Sequence, residues 1–219
     1  MSIEIIRGSA KFRYGMSNPK QFQGWLEEHP EIIGFSMVGR SNVGKSSLIN
    51  ALFGNKLART SNTPGRTREI NIFEFQIGEA GNPIDHKFWL FDLPGYGYAK
   101  VNREMSKKWE ELMQIFFQDI SEKVNMINIQ DARHPNQKAD IEFHQFLKNF
   151  ECETTLVFNK LDKLKKQKER SALNKLKPTI YKDYKWVKDI HFVSAEKGAG
   201  LKSLHDSMVG HLLLKSENE

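Results

Sequence analysis

The stretch GRSNVGKSS, Gly39 to Ser47, constrains this chain more than any other part of it. It fits the pattern G-x-x-x-x-G-K-[ST] and lies between a compact apolar run, IIGFSMV (32–38), and KSSLINALF (45–53), whose apolar residues recur at helical spacing. The spelling follows from the chemistry of holding phosphate. Gly39 and Gly44 let the backbone of Arg40, Ser41, Asn42 and Val43 curl until successive N–H groups face phosphate oxygens. A helix starting near Lys45 turns its positive end to the same point. The Lys45 ammonium reaches the β- and γ-phosphates, and the Ser46 hydroxyl, followed by Ser47, is placed to ligate Mg2+. A glycine-containing turn beside a lysine is the plainer reading, but the strand–loop–helix setting argues for a nucleotide phosphate site.

Strand-like and helix-like stretches alternate through the rest of the sequence. EINIFEFQI (69–77) and HKFWLF (86–91) alternate in a period of two, and the Gly, Asn and Pro residues of 78–85 suggest a hairpin between them. A helix around 103–121, a strand VNMINIQ (124–130), a helix around 137–149 and a strand TTLVFN (154–159) come next. A lysine-rich helix (163–177), a strand DIHFVS (189–194) and a last helix (201–214) finish the chain. The expected class is α/β: a mainly parallel six-stranded sheet with one antiparallel edge strand, helices on both faces, and ligands at the carboxyl ends of the strands. One domain over 32–219 is expected, with 1–31 an N-terminal extension packing on it.

Composition sets the setting. A chain of 219 residues can bury a large core in one domain, and 39% hydrophobic with 27% charged residues describes a soluble globular protein. A single cysteine, Cys152, excludes an internal disulfide framework. MSIEIIRGSAKF at the start lacks the apolar core of a signal peptide, and no later run approaches membrane-spanning length. A cytoplasmic monomer with no membrane insertion is expected. The net charge of +6 permits attraction to nucleic acid or an anionic membrane but names no partner.

The base is selected by FNKLDK. Asn159, Lys160, Leu161 and Asp162 directly follow the strand 154–159, and the Asp162 carboxylate can accept two hydrogen bonds from guanine, one from the ring N–H and one from the exocyclic amine. Adenine offers neither donor there and would leave a buried carboxylate unpaired. Asn159 can brace the phosphate loop, and the Lys160 stem can cover the ring. Val193, Ser194 and Ala195 close the next strand, where Ser194 and Ala195 would set a backbone N–H on the guanine oxygen. A solvated, lysine-rich helix start is the alternative. With the phosphate loop upstream the expected ligand is GTP or GDP, not ATP.

LFDLPGYGYAK (90–100) then reads as a γ-phosphate sensor. Asp92 ends a strand and can organise a Mg2+-bound water, Leu93 and Pro94 turn the chain, and the Gly95 N–H contacts the γ-phosphate, so hydrolysis would release the loop. The second switch is expected in ARTSNTPGRTREI (58–70), contributing Gly65, Arg66, Thr67, Arg68 and Glu69. Thr67 best completes the Mg2+ shell; Thr60 and Thr63 stand less suitably placed from the following strand. Tyr96 occupies the position where Ras-like switches carry a water-orienting glutamine, so placement and charge stabilisation must come from elsewhere. The Asn42 carbonyl is one source, through a monovalent cation such as K+; Arg66 and Arg68 are another, unless they are simply solvated. Slow intrinsic turnover is expected, served by Lys45, Thr67 and Asn42 and raised by K+ or a partner.

GRSNVGKSSLINAL, TPGRT and DLPGYGYAK together resemble the EngB (YihA/YsxC) GTPases of the TrmE–Era–EngA–EngB group, and DARH (131–134) is similar to that family's pattern too. The likeness runs from about Ile32 onward. It implies a Ras-like P-loop G domain and Mg2+ at Ser46 and Thr67, and members of the larger group hold K+ with an asparagine at the position of Asn42, which extends that expectation to this chain. It also implies a role in assembly of the large ribosomal subunit or its precursor, with rRNA and ribosomal proteins as partners, needed for normal cell division and septation. NKLD departs from the threonine that many members carry first, and the leading segment 12–34 is individual, so no role follows for Trp25 or His29.

Other signals admit two readings. Lysines with Tyr181, Tyr184 and Trp186 across 160–188 suit RNA contact and base stacking, or a solvated face followed by a buried lead-in. His134 shapes the turn before Pro135 or is catalytic; His191 reads as core or sheet face, and Cys152 as inert. The competing functions are a GTPase switch on a protein or membrane-associated division target, and a small-molecule kinase, against which NKLD and VSA argue.

Overall fold

The computed structural model describes residues 2–54, 57–58, 69–97, 103–120, 123–150 and 152–217. In chain order the elements are β1 (Ile3–Ile5), β2 (Lys11–Met16), α1 (Pro19–Glu28), β3 (Gly34–Gly39), α2 (Lys45–Phe53), β4 (Ile70–Phe75), β5 (Ile77–Glu79), β6 (Asn82–Pro83) and β7 (Phe88–Asp92). There follow α3 (Arg103–Ile120), β8 (Val124–Asp131), α4 (Lys138–Leu147), β9 (Thr154–Asn159), α5 (Gln167–Lys175), α6 (Lys177–Asp183), β10 (Val187–Phe192) and α7 (Leu201–Ser216). Among the described residues no helix is long and apolar enough to cross a membrane.

Seven strands form the main sheet in the order β10-β9-β8-β3-β7-β4-β2. Those from β10 to β7 run parallel; β4 is antiparallel to β7, and β2 is antiparallel to β4. The α/β class and mainly parallel sheet are as expected, while the count of six with one antiparallel edge strand is corrected: Lys11–Met16 adds a seventh strand and takes the edge from β4. The sequence of this strand, KFRYGM, does carry the signal: Phe12, Tyr14 and Met16 alternate with Lys11, Arg13 and Gly15 in a period of two, although only Met16 is buried. The expected hairpin joins β4 to β7, pairing Asn71 with Asp92 through Phe75 with Phe88. Its tip forms the β5–β6 ribbon, to which β1 adds antiparallel.

Alternation along the strands divides the core between the faces. Phe35 and Met37 of β3, with Phe75 of β4 and Leu90 of β7, pack with Leu48 and Ile49 of α2 and Leu204 and Leu212 of α7. Ile72, Trp89 and Phe91 point the other way and meet Phe22 of α1, Phe116 and Phe117 of α3, and Phe143 of α4. Leu156 and Phe158 of β9 pack with Leu173 of α5 and Ile180 of α6. The lysine-rich run expected as one helix over 163–177 is two, α5 and α6, because Pro178 cannot sit inside a helix but suits a first turn.

Helix α1 starts where the Asn18 side chain accepts the Lys20 and Gln21 N–H groups (3.0 and 3.4 Å), with Pro19 at the first helical position. Its apolar face carries Phe22, fully buried and stacked on Phe116 at 5.9 Å. Phe22→Ala is therefore expected to cost about 3–5 kcal/mol in chemical denaturation. A loss well under 1 kcal/mol would mean that the N-terminal helix contributes little to the cooperative fold.

Candidate nucleotide site

Three strand ends meet at one edge of the sheet. Strand β3 ends at Gly39, and the loop to α2 puts Asn42 at φ 63° and Gly44 at φ 95°. Gly44 is required twice over: its backbone is left-handed, and a Cβ there would lie 2.4 Å from Asn159 Nδ2. Helix α2 begins at Lys45 with no side chain capping its N-terminus, which leaves its first N–H groups toward the loop. Val43 is buried, Arg40, Ser41 and Ser46 half-buried, and Asn42 and Ser47 exposed. Lys45 Nζ lies in a close ion pair with Asp92 Oδ1, so the loop lysine and the carboxylate ending β7 occupy one spot. Leu93 N–H donates to Met37 O (3.0 Å), which fixes the turn leading through buried Pro94 and Gly95 to Tyr96.

The segment after β9 is tied to that loop at two points. Asn159 Nδ2 donates to Val43 O (3.0 Å) and Gly44 O (3.4 Å), and its Oδ1 accepts the Ala195 N–H (3.0 Å). Lys160, at φ 66°, reaches across so that Nζ donates to Asn42 O and to Asp131 Oδ2 (3.0 Å). Leu161 N–H donates to Val193 O (2.9 Å). Asp162 Oδ1 accepts the hydroxyl of fully buried Ser194 at 2.5 Å, and Lys163 pairs with the other oxygen at 3.1 Å. The Ser194 hydrogen bond, which outweighs burial, with help from Lys163, holds the Asp162 carboxyl below its ordinary range and so keeps it a charged acceptor. The Ser194 N–H goes to Ala199 O (2.9 Å), which leaves only the Ala195 N–H of the two donors expected toward a base oxygen, and that N–H is directed to Asn159 Oδ1.

The structure thus brings the phosphate-loop residues, Asp92 to Gly95, Asn159 to Asp162 and Val193 to Ala195 to one edge. Glu69 is exposed, with its carboxylate against Gly15 of β2. Gly65, Arg66, Thr67 and Arg68, with Thr60 and Thr63, lie outside the described residues. Tyr184 stacks on His144 at 4.2 Å and packs against Trp186 at 5.5 Å, so these rings are turned into the protein, while Tyr181 is 39% exposed. Burial, with Glu153 beside it, pushes the Cys152 thiol up to about 12, in keeping with an inert residue.

Sequence reasoning passed over Asp131, although DARH contains it. Both oxygens are engaged by Arg133 (N–H 3.0, Nε 2.9, Nη2 2.7 Å), and Lys160 joins them. Burial alone would raise this carboxyl, but Arg133 and then Lys160 hold it well below the usual range. The signal was its place at the end of β8, one strand away from Lys160. His134 is exposed and contributes its carbonyl to Arg40 Nη2 (3.1 Å).

A glycine loop between strand and helix, a lysine at its end and a carboxylate held after β9 define a P-loop GTP-binding domain with GTPase activity. The chain belongs to the EngB family of GTP-binding proteins: it is 34% identical over 199 residues to the EngB protein of Desulfitobacterium hafniense, covering 88% of this chain and 92% of that one. The model of a family described as 50S ribosome-binding GTPase matches residues 35–160. Aquifex aeolicus Era bound to GDP and AlF4– is similar with a TM-score of 0.65 and 27% identity, over 83% of this chain and 57% of that one. Era in complex with MgGDPNP and nucleotides 1506–1542 of 16S ribosomal RNA gives 0.64 and 26%, with the same coverage.

Proposed function

We propose that this protein is a slow, GTP-controlled switch that acts in assembly of the large ribosomal subunit and is needed for normal cell division and septation. The observation that carries the nucleotide part is the double tie of Asn159 and Lys160 to the phosphate loop, which sets a guanine-reading carboxylate at a fixed span from a phosphate cradle. The ribosomal part is supported by the description of the matching family and by the resemblance of TPGRT and DLPGYGYAK to EngB. A cytoplasmic monomer, with residues 1–31 packed on a single G domain, fits this role.

In this reading the N–H groups of Gly39 to Ser47 hold the phosphates, Lys45 neutralises the β- and γ-oxygens, and Gly95 reports the γ-phosphate. Half-buried Ser46 and buried Asp92 form an oxygen donor set that fits Mg2+, with Thr67 completing it and Asp92 acting through water. The ion would supply charge neutralisation at the phosphates. Tyr96 is engaged by Asp140 and Asn128 through its hydroxyl, so it orients no water, and low intrinsic turnover follows. Asn42, exposed at the loop's crest, offers its side-chain carbonyl to K+. Hydrolysis in K+ is then expected to run about tenfold faster than in Na+ at equal ionic strength, one decade for each ~1.4 kcal/mol of barrier. Equal rates would remove the cation.

Sedimentation of lysate tests the wider role. Addition of a non-hydrolysable GTP analogue is expected to carry the protein into large-subunit fractions, and GDP to release it. Its absence from those fractions with either nucleotide would favour a switch acting on a division target without ribosome binding.

A further inference from the structure

Tyr96 follows the γ-phosphate-sensing Gly95, and its ring is almost fully buried, stacked on Phe143 of α4 at 4.3 Å and 11°. Its hydroxyl donates to Asp140 Oδ1 (2.9 Å) and accepts from Asn128 Nδ2 (3.1 Å). The same Asp140 oxygen takes Arg40 Nε at 2.9 Å, and Arg40 belongs to the phosphate loop. The other oxygen, Oδ2, accepts the Gln137 N–H and closes the capping box of α4. One fully buried carboxylate therefore holds a helix start, a phosphate-loop arginine and the residue after the sensor glycine. The backbones agree: Arg40 and Tyr96 form an isolated parallel bridge. Gly97, at φ 81°, lies so near Ala139 that a Cβ would sit 2.9 Å from it.

We propose that Asp140 is a positioning residue for GTP recognition, holding Tyr96 and Arg40 together so that Gly95 meets the γ-phosphate without reordering. The inference rests on the reading of Gly95 as the phosphate sensor. A buried ion pair of this kind adds little net stability over apolar packing, whereas a fully satisfied polar network specifies one arrangement of the groups in it. Phenylalanine at 96 with an apolar residue at 140 would fill the same space but would leave the turn free to slide along α4. Burial, and after it the charge of Asp140, push the Tyr96 phenol well above its ordinary range, so it remains a donor throughout the working pH range.

The test compares Asp140→Asn and Tyr96→Phe with the native chain, titrating each with fluorescent GDP and with a fluorescent non-hydrolysable GTP analogue in Mg2+. Tyr96→Phe removes the hydrogen bonds to Asp140 and from Asn128, and Asp140→Asn removes the charge that assists those from Tyr96 and Arg40, so analogue affinity is expected to fall about 5- to 30-fold while GDP affinity stays within about twofold. The double variant is expected to lose less than the product of the two single losses, because both break one contact. Equal losses for the two nucleotides would show a merely structural role and overturn the proposal, as would unchanged affinities in folded Tyr96→Phe. Gly95→Pro, which removes the sensing N–H, is measured alongside: if its analogue and GDP affinities match the native chain's, the sensor reading itself fails, whatever Asp140 does.

Discussion

Asp162→Asn is expected to exchange the protein's preference for guanosine nucleotides for one toward xanthosine nucleotides. The carboxylate presents two acceptors, which match the ring N–H and exocyclic amine of guanine. An amide presents one acceptor and one donor, which match the ring N–H and the C2 carbonyl of xanthine. The buried Ser194 hydroxyl at 2.5 Å holds the side chain of residue 162 in place, so the change alters what is offered and not where it is offered. GTP affinity is expected to fall roughly 10²-fold and XTP affinity to rise by a similar factor, since each mismatched pair leaves a desolvated polar group unpaired. Direct titration with GTP, XTP and ATP in Mg2+ reads both changes. Unchanged guanine selectivity would remove Asp162 from the base pocket.

Lys45→Ala is expected to lower GTP affinity by at least about 10²-fold, the loss typical of taking one partner from a desolvated charge pair. The damage has two parts. The phosphates lose a point charge, and Asp92, 5% exposed, loses the cation it is paired with. The second part acts without nucleotide, so a modest drop in the melting temperature of the ligand-free variant should accompany the loss of binding. Retained micromolar affinity for GTP would count against the cradle.

The phosphate loop was legible in the sequence because its backbone demands glycine at fixed spacing. The bond from Asn159 to Val43 was expected as a brace, because a side chain at the carboxyl end of β9 lies at the sheet end where the phosphate loop begins. Less legible was what depends on distant residues. Lys11–Met16 alternates Phe12, Tyr14 and Met16 with polar residues or glycine over a single short stretch, and it is the free edge of β4 that makes it a strand of the main sheet. Asp131 and Asp140 stand in ordinary polar surroundings in the sequence, far along the chain from Arg40. Their importance lies in Lys160, Arg40 and Tyr96, which only the closed sheet brings to them. The break between α5 and α6 was readable from Pro178 but was masked by the uniform lysine content around it.

The placement of β2 has a consequence for the life of the chain. It covers the hydrogen-bonding rim of β4, whose Ile70, Ile72 and Phe73 are buried. A protease that clipped off the first sixteen residues would uncover an apolar template for strand exchange between molecules. The strand left outermost carries Lys11 and Arg13 alternating with exposed Phe12 and Tyr14, and its pairing with β4 shifts register between those two rings, which breaks the regular edge onto which a second molecule would zip.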